Sequence, residues 1–152
     1  MQNKRTVRRV GELRVCRGGI PVHEALCYGR GKSYIHSTDI FNLVVSKSGN
    51  RRKKVKSSHR GIVKGWVILL PRVGVPCFDS MVPVFLREDN QLSDCVIALK
   101  FKSKRQAILC SEVVQGKWKG FLENYRGTGA RYTTVDKLCT WLDKNGWSAV
   151  VE

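Results

Sequence analysis

The chain has 152 residues, 42% of them apolar, which is enough for a folded core but points to one domain rather than two. Its 28 Lys and Arg outweigh 12 Asp and Glu, giving a net charge of +16. Self-repulsion of that size predicts a polyanionic partner, and nucleic acid is favoured over an acidic membrane because no amphipathic basic helix or lipidation motif is visible.

Residues 1–9 carry Lys4, Arg5, Arg8 and Arg9 and read as a flexible basic arm, with no apolar segment behind it to make a secretory signal. Residues 10–152 read as one β-rich domain. Leu13 and Val15 alternate with polar neighbours, as in a short strand ended by Gly18, Gly19 and Pro21. Val22 to Cys27 suggests a helical turn, and Tyr34 to Ser46 reads as strand. Ser46 to Arg60 follows as a basic loop or hairpin tip, turned at Gly49 and Asn50, with Val55 its only apolar side chain.

Ile62 to Leu70 reads as a buried strand closed by Pro71, and Met81 to Leu86 as a second, with Pro83 suggesting an edge or a bulge. Arg87 to Ser93 reads as a charged turn. Strand text resumes from Val96 to Phe101 and again from Gln106 to Val114. Near the end, Val135, Leu138, Cys139 and Leu142 fall on one helical face, with Thr133 or Thr134 as the cap and Asn145 and Gly146 as the stop. Trp147 to Val151 returns as a short strand. Short strands joined by Gly, Pro and Asp turns predict a mainly β fold, a β-sandwich or barrel with one C-terminal helix.

The basic loop is the strongest functional signal. Lys47, Arg51, Arg52, Lys53, Lys54, Lys56 and Arg60 occur with no carboxylate among them, so phosphates are their natural partners. The Arg51 to Lys54 cluster also has the form of a nuclear import signal, and a solvated loop with no partner is the plainer alternative. Lys100, Lys102 and Lys104 alternate with Leu99 and Phe101, which suggests a second basic face or a protected edge strand. Trp118, Phe121 and Tyr125 lie among lysines and suit either base stacking or, preferentially, the core.

Catalytic patterns are poor. His23, His36 and His59 are scattered, and no nucleotide-binding glycine motif is present. Asp79, Glu88, Asp89 and Asp94 form the one acidic cluster, better explained by turns and solubility than by a metal-dependent nuclease. The six cysteines lie at positions 16, 27, 77, 95, 110 and 139, without the close pairs of a zinc site. Reduced thiols, several packed in apolar strands, suit a cytoplasmic or nuclear protein. Neither cofactor nor metal is implied, and no apolar run approaches the length of a membrane span.

Ile62 to Asp94 contains a Gly–Trp entry into an apolar strand, a Pro/Gly turn and a second strand ending in Leu86, Arg87 and Glu88. This stretch resembles the central part of the plant-virus movement proteins of the thirty-kilodalton superfamily, with Glu88 where the family carries Asp. The resemblance implies a jelly-roll-like β-sandwich that binds single-stranded nucleic acid without sequence preference and moves viral genomes between cells through host-cell junctions.

The expectation is a non-catalytic binder of single-stranded RNA or DNA, open to self-association. Arg51, Arg52, Lys53, Lys54, Lys56 and Arg60 would contact phosphates, and Lys100, Lys102 and Lys104 would form a second line. A ribosomal or other ribonucleoprotein component is the alternative that the same composition allows.

Overall fold

A computed structural model describes residues 8–24, 31–46, 53–56 and 60–152. The fold is mainly β, built on one seven-stranded mixed sheet. Its strands are β1 (Gly11–Arg17), β2 (Lys32–Ile35), β3 (Lys54–Val55), β4 (Ile62–Pro71), β5 (Val84–Leu92), β6 (Val96–Phe101) and β7 (Trp147–Val151). They lie in the order β3-β2-β5-β4-β6-β1-β7. The edge strands β3 and β7 do not pair with each other, so the sheet stays open where a sandwich or closed barrel was expected.

The helices explain the difference. Gln106 to Val114, expected as strand, lies within the helix α1 (Lys104–Gly116), followed by α2 (Trp118–Leu122) and α3 (Val135–Lys144). Ala107, Cys110, Ser111 and Val114 are buried at helical spacing, and Ser103 caps the helix by accepting from the Gln106 N–H at 3.3 Å. With a helical layer to cover one face, the sheet needs no second sheet. That face supplies Leu13, Val15, Ile68, Leu70, Ile97, Leu99 and Phe101 to a core shared with Phe121, Leu138 and Leu142. The other face buries Cys16, Val63, Val67, Leu69, Leu86, Leu92, Val96 and Ala98 with Ile35, Ile40 and Val44.

The expected terminal helix is α3, whose Thr134 hydroxyl accepts from the Lys137 N–H at 3.2 Å. Two other segments depart from expectation. From Tyr34 to Ser46 the strand ends at Ile35, and a 3-10 turn (Ser37–Asp39) and a π-helical turn (Asn42–Ser46) follow. The Asp39 carboxylate accepts the His36 N–H at 2.9 Å and diverts the backbone from the ladder. Arg87 to Leu92, expected as a turn, continues β5, whose Asn90 and Gln91 pair with β2 on one side and β4 on the other. Pro83 falls just ahead of that strand rather than within it.

Strand β4 is the hinge of the sheet. Its first half pairs with β5 and its second half with β6, both antiparallel. Gln91 lies opposite Ile62 and Val96 opposite Pro71. A straight strand would separate Ile62 from Pro71 by about 30 Å, whereas the chain from Gln91 to Val96 can reach only about 17 Å. The strand must therefore bend, and the register shifts between Val63 and Gly65, where Gly65 has a φ of 86°. At the short link itself, Gly18 passes so close to the Ser93 carbonyl that a side chain would not fit.

Candidate nucleic-acid interface

Strand β3 holds part of the basic segment on the edge of the sheet. Lys32 lies opposite Val55 and Ser33 opposite Lys54, and the Tyr34 N–H donates to the Lys53 carbonyl at 2.8 Å. Val55 is only 1% exposed and packs with Ile20 and Tyr34. The Tyr34 hydroxyl donates to the Ile20 carbonyl at 2.7 Å, and burial pushes its phenol up to about 12, keeping it a donor. Downstream, the Arg60 carbonyl accepts from Gln91 Nε2 at 2.7 Å.

The segment is thus tied to the sheet at both β3 and Arg60, and Lys53, Lys54, Lys56 and Arg60 are exposed along it. Arg51 and Arg52 lie outside the described residues, as do Lys47 and His59. Nearby, Lys32 meets Asp89 at 3.5 Å.

The second set of lysines does not form one face. Strand β6 lies between β4 and β1, so it is no edge in need of protection. Lys100 is engaged by Glu152 at 2.7 Å, and Lys102, beyond the strand end, by Glu12 at 2.8 Å. The Lys102 ammonium holds the Glu12 carboxyl below its usual range. Lys104 opens α1 and places its Nζ 5.4 Å from the centre of the Trp66 ring.

That ring belongs to a group sequence reasoning missed. Phe85 lies opposite Trp66, and Trp66 opposite Phe101, so three aromatics line up across β5, β4 and β6. The Trp66 and Phe85 rings are 5.0 Å apart and tilted by 47°, and Phe101 meets Trp147 edge-on at 6.1 Å. Exposure rises along the row: Trp147 is fully buried, Phe101 nearly so, Trp66 half-buried, and Phe85 50% exposed. Exposed Lys64 and Arg87 lie two residues from Trp66 and Phe85 along their strands. These cation–aromatic spacings were the available signal, but only the register joins them.

Trp118, by contrast, packs inward, as preferred from sequence. It stacks on Phe121 at 5.6 Å and meets Phe78 edge-on at 5.4 Å, with Phe121 and Tyr125 buried. The acidic residues are dispersed over the turn at Phe78–Ser80, strand β5 and the turn before β6. His36 Nδ1 lies 2.9 Å from the Ser93 hydroxyl, but Ser93 is buried and its oxygen also accepts the Cys95 N–H. This contact braces a turn.

Cys16, Cys77, Cys95, Cys110 and Cys139 are free thiols. Cys16 and Cys110 are buried, and burial pushes Cys110 up to about 12. Cys110 sits on a helix rather than a strand, and Cys77 is exposed. Among the described residues no helix is long and apolar enough to cross a membrane.

No protein-family model matches the sequence, and no curated protein does. Among solved structures, the fold is similar to the S subunit of a type-I restriction-modification system from M. genitalium. The TM-score is 0.46 and the identity 9%, over 83% of this chain and 30% of that one. The chain thus spans less than a third of that subunit's length, and at this level the likeness bears on neither function nor partner.

Proposed function

We propose that the protein is a non-catalytic, sequence-independent nucleic-acid-binding protein that takes single-stranded RNA or DNA by its phosphates. The observation that carries this reading is the anchoring of the basic segment through buried Val55. Lys53, Lys54 and Lys56 project from a strand edge held by hydrogen bonds, with Arg60 at the next anchor. A backbone already ordered loses less conformational freedom when a phosphate chain binds than a free tail would. The remaining cations, Arg51 and Arg52, extend the same run in sequence.

Carriage of viral genomes between cells and a place in a ribonucleoprotein particle are finer roles that both use such a surface. Cooperative binding of free single strands would favour the first; stability only within a particle would favour the second.

Ionic binding is tested by measuring affinity for a single-stranded oligonucleotide over a range of salt. Replacing Arg51, Arg52, Lys53, Lys54 and Lys56 with Ala should flatten the slope of log affinity against log salt by about 0.7 for each phosphate that the variant no longer neutralises. An unchanged slope removes the segment from the binding surface. Absence of salt-dependent binding by the unaltered protein overturns the function itself.

A further inference from the structure

We infer that Phe85, braced by Trp66, whose own ring carries the Lys104 ammonium, is a stacking site for one unpaired nucleobase. The inference rests on the nucleic-acid reading above and gives it a property that phosphate contacts alone lack, namely preference for unpaired strands.

Three observations support it. First, half of Phe85 is open to solvent, on a stretch of β5 that pairs with β4 and lies beyond the residues paired with β2, and the Trp66 ring supports it at 5.0 Å. Half-exposed, the residue leaves surface that a planar partner can reach. Second, the row that contains it is otherwise progressively covered, ending in Trp147 at full burial, so the Phe85 end is where the aromatic row opens to solvent. Third, the opening is cationic. The Lys104 ammonium lies 5.4 Å from the Trp66 ring centre, and Lys64 and Arg87 are exposed close by in sequence to the two aromatics.

The charge selects the occupant. An apolar peptide would bring no negative charge to Lys104, and a second copy of this chain would bring a large net positive one. A nucleotide brings a flat ring for Phe85 and a phosphate for the ammonium, and base stacking on aromatic side chains tolerates any sequence. A paired base within a duplex keeps both of its faces covered by neighbouring pairs, so the site discriminates against double strands.

The test uses the full chain with three probes of equal phosphate number: a single-stranded oligothymidylate, the same strand made abasic throughout, and a duplex. The variants are Phe85→Ala and Phe85→Tyr, each checked for an unchanged melting curve. Phe85→Ala should weaken oligothymidylate binding about tenfold, leave abasic and duplex affinities and the salt slope unchanged, and be rescued by Phe85→Tyr. Two results overturn the stacking site while leaving phosphate binding standing: equal affinity of the unaltered protein for abasic and base-bearing strands, or no loss in Phe85→Ala. A change in sedimentation of Phe85→Ala without a change in oligothymidylate binding would assign the ring to contact between copies and overturn it as well. If Phe85→Ala melts differently, Phe85→Tyr with Lys104→Ala carries the test. Lys104→Ala should then reduce oligothymidylate binding and lower the salt slope by about 0.7, and full affinity in that variant counts against the site.

Discussion

Tyr34 and Ile20 are joined by a hydrogen bond from the buried phenol to a backbone carbonyl, 2.7 Å long, which fastens the segment after β1 to strand β2. Val55 packs against the same two residues, so the edge strand and its lysines depend on this contact. Tyr34→Phe leaves the Ile20 carbonyl without this donor and should destabilise the fold by about 1–2 kcal/mol, measured by urea unfolding at unchanged m-value.

Val55→Ala separates anchoring from charge. It removes no cation, but truncating a fully buried side chain should cost about 2 kcal/mol and loosen β3. Oligonucleotide affinity should fall while the salt slope stays near that of the unaltered protein. Equal affinity would show that the lysines act without their strand.

Lys100→Ala and Lys102→Ala should leave oligonucleotide affinity within about twofold, because Glu152 and Glu12 already engage these ammonium groups. Their ion pairs are solvent-screened and add little to stability, so the melting temperature should barely move. A large drop in affinity would restore them to the binding surface.

Glycines at two positions test the bend. Gly65 has a φ of 86° and open space where a side chain would lie, so Gly65→Ala should cost about 1–2 kcal/mol through backbone strain alone. Gly18→Ala meets the Ser93 backbone and should be considerably worse, with loss of soluble protein as its readout.

The thiols differ in reactivity and in their effect at alkaline pH. Cys77 should label rapidly with a thiol reagent and Cys110 only on unfolding. In the unfolded chain the Cys110 thiol ionises near pH 8.5, while burial holds it protonated to about 12 in the fold. Above the lower value the unfolded state binds fewer protons, so stability falls as pH rises, by about 1.4 kcal/mol per pH unit for this group. Stability curves of the unaltered protein and Cys110→Ala should therefore differ in slope by about that amount above pH 9.

Some elements were legible because local pattern and burial coincide. Leu13 and Val15 alternate and do form β1, and Val135, Leu138 and Leu142 share a face of α3 behind the Thr134 cap. The charge and the single apolar Val55 within the basic run were also visible, but not that Val55 is buried on a strand or what it packs against. Helix α1 was not legible as a helix because its apolar residues are dense enough to suggest either period, yet Ser103 followed by Gln106 was a readable capping signal.

By itself, then, the sequence determined a basic, mainly β chain with an α3 helix at its end, since charge and short-range periodicity need no neighbours. Tertiary structure decided the rest. Whether Lys100 and Lys102 are available depends on Glu152 and Glu12, which are distant in the chain and brought near by β7 and β1. The pairing of Trp66 with Phe85 depends on the register across a bent β4, which side-chain alternation within either strand does not specify.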